Sequence, residues 1–296
     1  MTSPKVFIVT GGANGIGAFI TYHLATVLPQ PMRIAVLDLD LDALKLFEER
    51  LTRSPPEGCP KLSADTFLFL QCDVSKEEEV RHSVEIISRQ WGPGLDGLVN
   101  NAGIPFAYGY ASEKTDFTDW TAEEFLRYQE VHVLGSFLLA KHCAPYLETR
   151  KGAIVNISSV RAHFSDPLQE GYAASKGGVS ALTHALATSM GAKGLRVNCI
   201  SPGYIDVSSG RQKSITRFPP AVDTPPAISL PYHFQMLTGR VGRGEDVAKL
   251  AWFLLDNEQS GFLTGQDICL DGGFTRRKQD EFPRDLQASL AGHVPK

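Results

Sequence analysis

Short apolar, β-branched runs recur along the chain at 6–10, 34–37, 66–70, 97–100, 153–157, 196–200 and 267–270, and longer helix-compatible stretches separate most of them. Runs of this length without polar alternation read as strands buried on both faces. Strands that alternate with helices predict an α/β fold with a parallel sheet covered on both sides. Right-handed crossovers make that sheet doubly wound and Rossmann-like, with its ligand edge at the carboxyl ends of the strands. No internal repeat or linker divides the chain, so the pattern predicts one domain over 1–274 and a charged tail over 275–296.

Three segments break the rhythm. Residues 52–65 are rich in proline and read as a surface insertion. Residues 104–120 are rich in aromatics and glycine, and 207–232 carry Pro219, Pro220, Pro225, Pro226 and Pro231. Both follow strands at the ligand edge, and 207–232 reads as a lid over the substrate.

Composition narrows the class. The 296 residues are 43% hydrophobic and 21% charged, as in an ordinary globular chain. A net charge of −4 supplies no basic field for nucleic acid. Cys59, Cys72, Cys143, Cys199 and Cys269 are scattered without a Cys-x-x-Cys spacing, so neither a disulfide framework nor a metal site is predicted. No apolar run is long enough to span a membrane and no signal segment opens the chain, which predicts a cytoplasmic protein.

Candidate chemistry falls at the predicted strand ends. Thr10-Gly11-Gly12-Ala13-Asn14-Gly15-Ile16-Gly17 follows the first strand and opens a helix, where glycines allow a tight turn and N–H groups face a pyrophosphate. Asp38 ends the second strand, placed to accept hydrogen bonds from ribose hydroxyls and to repel a 2′-phosphate. With Leu39 next to it and Asn14 in the loop, no cation stands at the obvious places, which favours NAD over NADP. Tyr172 and Lys176 lie four residues apart in a helical stretch, on one face. A nearby cation favours the phenolate, which suits a phenol for acid/base work.

These motifs, with Asp73-Val74 after the third strand, Asn100-Asn101-Ala102-Gly103 after the fourth, Ser159 after the fifth and Ser201-Pro202-Gly203 after the sixth, resemble the short-chain dehydrogenase/reductase family. The resemblance runs from Lys5 to about Phe274 and takes in Leu263-Thr264-Gly265-Gln266 and Leu270-Asp271-Gly272-Gly273. It implies that Asp73 and Val74 flank the adenine, that Asn101, Ala102 and Gly103 line the cofactor, and that Pro202, Gly203 and Ile205 meet its nicotinamide end. It implies a catalytic Ser159 that holds the substrate oxygen, a proton-exchanging Tyr172, and a Lys176 that binds the ribose and lowers the phenol pKa. Ser158 is the competing serine; spacing favours Ser159.

Two positions depart from the family. His132 stands where an asparagine usually leads through a water to the lysine; it is kept as a candidate for that path, while a mid-helix histidine reads first as packing. Val207 replaces a threonine that commonly holds the nicotinamide amide.

The expected function is NAD-dependent interconversion of a secondary alcohol and a ketone. A non-redox biosynthetic reaction on the same scaffold and an NAD(H)-sensing protein are the alternatives. The substrate is expected between 104–110, 161–169 and the lid, among Phe106, Tyr108, Tyr110, His163, Phe164, Phe218 and Phe234. Arg161 and Arg211 are candidates to meet an anionic group on the substrate, but both read first as solvated arginines. The resemblance also implies a homodimer or homotetramer with the Tyr172 helix in the interface.

Overall fold

The computed structural model describes residues 3–27, 32–53, 65–105, 114–207 and 230–276. Most of the insertion and lid segments, most of the tail, and Cys59, Phe106, Tyr108, Tyr110, Arg211 and Phe218 lie outside the described residues.

In chain order the elements are β1 (Lys5–Thr10), α1 (Gly15–Val27), β2 (Met32–Asp38), α2 (Leu41–Arg53), β3 (Phe67–Gln71), α3 (Glu77–Trp91), β4 (Gly97–Asn100), α4 (Ala122–Gln129), α5 (Gly135–Glu148), β5 (Ala153–Ile157), α6 (Glu170–Gly191) and β6 (Arg196–Pro202). They continue through β7 (Ile205–Asp206), α7 (Leu230–Gln235), β8 (Gly242–Arg243), α8 (Gly244–Leu255), α9 (Asn257–Ser260) and β9 (Asp267–Leu270). All seven strands expected from the apolar runs form, with ends shifted by one or two residues where polar positions extend a ladder. The short parallel pair β7–β8 was not expected, because two residues carry no readable period.

The main sheet is parallel with order β3-β2-β1-β4-β5-β6-β9, and the order reverses between β1 and β4. Alternate residues of β1 serve separate cores: Phe7 and Val9 pack with Ala18, Ile20, Leu44 and Val247, whereas Val6 and Ile8 pack with Val80, Leu139, Ile154 and Val197. This period-two division is why β1 lacks polar positions. Each fully buried side chain of this kind contributes roughly 1.5–3 kcal/mol of transfer free energy. The result is a rigid floor beneath the reversal point, where a doubly wound sheet opens its crevice.

A capping box and an ion pair set the entry to α4. Thr121 and Glu124 form a reciprocal capping box, and Lys114 donates to both Glu124 carboxylate oxygens at 2.7 Å. Between α4 and α5 the backbone widens into a π-turn over Glu130–Leu134. His132 is therefore not in a regular helix, and such bulges often mark functional positions.

Candidate functional site

A cleft of about 1010 Å³ lies along the carboxyl edge of the sheet. Its walls include Gly11, Asn14, Gly15, Ile16, Asp38, Leu39, Asp73, Val74, Asn101, Ala102 and Gly103 at one end. Ser159, Tyr172, Lys176, Pro202, Gly203, Ile205 and Val207 line the other. Gly17 and His132 sit behind this surface.

The turn after β1 requires its glycines. Gly11 has φ +58°, and a Cβ on Gly17 would come within 2.0 Å of the Gly11 carbonyl oxygen. Asn101 buttresses the turn, its side-chain amide donating to the carbonyls of Thr10 at 3.0 Å and Gly11 at 3.1 Å. The first turn of α1 thereby faces the cleft with N–H groups that have no partner within the helix, a seat suited to a pyrophosphate. Gly103 and Gly203 are small for packing reasons: a Cβ would meet His132 Nε2 at 2.9 Å and the Asp271 Cα at 2.9 Å, respectively.

Asp38 accepts from the Ala13 N–H at 3.1 Å and the Asp40 N–H at 3.2 Å. Burial raises its pKa, against the lowering effect of these hydrogen bonds. Asp73 is fixed by Ser75, whose N–H and hydroxyl both donate to Oδ1, and by Arg127 Nη2 at 3.3 Å from Oδ2. Those partners outweigh desolvation and hold its carboxyl below the usual value. Arg127, absent from the sequence reading, also lines the cleft; nothing in its local spacing signals a partner so distant in sequence. The glycine turn, the β2 carboxylate and the extended cleft together fit a dinucleotide.

At the other end, the two serines divide their work. The Ser158 hydroxyl donates to the Lys176 carbonyl at 2.8 Å and ties β5 to α6. Ser159, with 8% of its surface exposed, hydrogen-bonds the Tyr172 phenol through its hydroxyl. The expected lowering of the phenol pKa by Lys176 is not found. Burial raises the Tyr172 pKa; the Ser159 hydrogen bond and the Arg161 charge act downward against it. Lys176 Nζ lies 5.7 Å from the phenol ring centroid and donates to the Ile157 carbonyl at 2.9 Å. Burial also brings the Lys176 pKa down to about 8.

His132 is buried at 1% exposure, its Nε2 accepting from the Ile104 N–H at 2.9 Å. That bond requires the proton on Nδ1, which donates to the Ser175 hydroxyl at 2.7 Å. Ser175 in turn donates to the Tyr172 carbonyl at 2.7 Å. Burial, assisted by the Lys176 charge, keeps the ring pKa well below its ordinary value, so the imidazole is neutral.

Arg161 corrects the expectation of a solvated arginine: it is 9% exposed. Its guanidinium lies over the Phe164 ring at 4.8 Å and bonds Asp166 and the Tyr204 hydroxyl. Phe164 packs at a tilt against Phe274, centroids 5.3 Å apart, and Tyr204 likewise against Tyr232 at 4.9 Å, giving an aromatic wall that the sequence only partly named. His163 is exposed and pairs with Asp267 at 3.2 Å.

The described cysteines, Cys72, Cys143, Cys199 and Cys269, are free, and no group of metal-ligating side chains occurs among the described residues. No described helix is long and apolar enough to cross a membrane.

A family model described as Enoyl-(Acyl carrier protein) reductase matches residues 12–275. An uncharacterized oxidoreductase of Thermotoga maritima is 37% identical over 276 residues, covering 93% of this chain and 97% of that protein. L-fucose dehydrogenase of Bos taurus is 32% identical over 270 residues, covering 91% and 88%. A solved short-chain type dehydrogenase/reductase from Mycobacterium marinum superposes with a TM-score of 0.73 at 28% identity, over 93% of this chain and 96% of that one. Similarity that spans the sheet, the glycine turn and the Tyr172 helix alike means that this chain belongs to the short-chain dehydrogenase/reductase family, oxidoreductases that bind a nicotinamide cofactor.

Proposed function

We propose that the protein is an NAD-dependent oxidoreductase that interconverts a secondary alcohol and a ketone. The hydrogen bond between the Ser159 hydroxyl and the Tyr172 phenol, at the end of a cleft fitted to a dinucleotide, carries this reading. Asp38 favours NAD, because a carboxylate accepts from a free ribose diol and repels a phosphate in its place.

The bound cofactor supplies the hydride acceptor or donor. Ser159 holds the substrate oxygen beside Tyr172, so that the proton leaving the alcohol passes to the phenolate oxygen, and in the reverse direction the phenol returns it to the carbonyl. The alcohol carbon gives up its hydride as its oxygen loses that proton, and a ketone results. Burial excludes water from the exchange and disfavours the phenolate until a cation is brought close. Lys176 lines the cleft and is placed to hold a ribose hydroxyl. Asp73 and Val74 flank the adenine, Asn101 to Gly103 line the cofactor, and Pro202, Gly203 and Ile205 meet its nicotinamide end.

We further propose that two or more copies associate through α4, α5 and α6. Leu126, Leu134 and Phe137 are 54%, 41% and 43% exposed along a groove that also contains Val133 and Leu182. A continuous apolar surface of this kind suits a self-complementary contact.

The test is nicotinamide absorbance during turnover over sterols, polyols, cyclic diols and hydroxy acids, with NAD and with NADP. Tyr172→Phe is expected to lower alcohol oxidation roughly 10²–10⁴-fold while the cofactor still binds. Full activity in that variant removes Tyr172 from the proton transfer. Turnover without any absorbance change favours a redox-neutral reaction.

A further inference from the structure

Arg161 lies two residues beyond Ser159, in the 3₁₀ turn Val160–Ala162 that leads away from β5. Its Nη2 is shared between the Asp166 carboxylate and the Tyr204 hydroxyl, the latter at 3.1 Å. Its Nη1 is buried and has no hydrogen-bond partner among the described residues. A buried donor on a charged group without a partner is costly, and protein interiors rarely retain one for packing alone. The aromatic faces of Phe164 and Tyr204, at 4.8 Å and 5.8 Å, favour the guanidinium as a cation but accept no N–H in the manner of an oxygen.

We propose that Arg161 is a substrate-recognition residue whose free Nη1 binds a carboxylate on the substrate, so that the enzyme acts on hydroxy acids and the corresponding keto acids. Asp166 does not fill this role. Its side chain is 53% exposed and engages only Nη2, so it orients the guanidinium and leaves Nη1 without an acceptor. Gln169, buried just before α6, donates its amide at 3.5 Å to the same Asp166 oxygen that the guanidinium engages. The same turn is tied to Ser159, the Arg161 N–H donating to Ser159 Oγ at 3.2 Å, and the guanidinium charge acts on the Tyr172 phenol. A carboxylate on Arg161 and an alcohol oxygen between Ser159 and Tyr172 are therefore compatible with one small molecule. The aromatic wall of Phe164, Tyr204 and Phe274 accommodates its carbon skeleton.

The inference rests on the proposed alcohol–ketone chemistry, and its test separates the two. Lactate and 3-hydroxybutyrate are compared with their methyl esters as substrates with NAD. Acetoacetate is compared with methyl acetoacetate for thermal stabilisation of the enzyme–NADH complex. The wild-type enzyme is expected to favour one acid over its ester by about tenfold or more in kcat/KM. In Arg161→Gln that ratio should fall to about twofold or less, with the loss in the KM of the acid, and Arg161→Lys should retain part of the preference. Should Arg161→Gln fail to fold, the comparison of wild type with Arg161→Lys across the same pairs carries the test. Equal use of acid and ester by the wild type, or a ratio unchanged by substitution, overturns the role of Arg161 and leaves the redox reading standing. Absence of any absorbance change with every alcohol overturns the redox reading instead. Recognition of the carboxylate is then decided by whether acetoacetate, and not its ester, stabilises the NADH complex of the wild type.

Discussion

His132 and Tyr172 are linked through a single hydroxyl: His132 Nδ1 donates to Ser175 Oγ at 2.7 Å, and Ser175 Oγ donates to the Tyr172 carbonyl at 2.7 Å. The two rings also meet edge to face, their centroids 5.7 Å apart. Because the Ile104 N–H occupies Nε2, the tautomer is fixed and the ring has no nitrogen left to take a proton from the substrate. His132 thus joins the loop after β4 to the helix that bears Tyr172, and we assign it a positioning role.

His132→Ala is expected to destabilise the protein by roughly 1–3 kcal/mol, because the Ile104 N–H and the Ser175 hydroxyl lose a partner. The pH dependence distinguishes this from a plain cavity. With the folded pKa depressed below 6.5, the unfolded chain binds the additional proton as pH falls through that value, so the wild type loses stability on acidification. His132→Asn should lose less over the same window, measured by urea unfolding from pH 8 to pH 5. His23, lowered to about 4, contributes with the same sign and remains in both proteins. Equal acid slopes in the two proteins would exclude a buried neutral His132.

Lys176 works against folding at neutral pH. Its pKa of about 8 lies below the 10.5 of the unfolded chain, so the unfolded state binds more protons between those values and stability rises with pH across that window. Lys176→Met should therefore be inactive yet more stable than the wild type at pH 7, by roughly 1–3 kcal/mol. The gap should narrow from pH 8 upward. Thermal melts at several pH values measure it, and a variant less stable at pH 7 would show that the bond to the Ile157 carbonyl outweighs the desolvation of the ammonium.

Asp38→Asn keeps the shape of the side chain and removes its charge. The ratio of kcat/KM for NAD to that for NADP is expected to drop by roughly tenfold to a hundredfold, the equivalent of about 1.4–2.8 kcal/mol. Since burial raises the Asp38 pKa, the KM for NAD in the wild type should begin to rise on acidification at a higher pH than an ordinary aspartate would give. The variant should lack that rise.

Leu134→Glu combined with Phe137→Glu places two charges on the exposed apolar face of the π-turn and α5. Sedimentation velocity is expected to show the wild type as a dimer or tetramer and the variant as a monomer with the same helical content. An unchanged sedimentation coefficient would remove this face from the interface.

The seven apolar runs and the order of motifs at their ends determined the fold, because a strand buried on both faces has little freedom in composition and a glycine turn before a helix has few uses. Tyr172 and Lys176 were equally legible, since four residues is one turn of helix and local spacing sets their common face. The tertiary structure decided what distant elements do to these groups. Burial reversed the expected direction for the phenol, Ser158 proved to be a tie to Lys176 rather than the partner of Tyr172, and His132 found both its partners outside its own segment. Arg161 was misread for the same reason. Its neighbours Ser165 and Asp166 are polar and exposed, and only the folding of β6 and the residues after it brings Tyr204 over the guanidinium and encloses it. Sequence spacing fixes which groups share a face, whereas desolvation and long-range partners exist only once separate elements have packed, and those two effects set the charge and pairing of each group at this site.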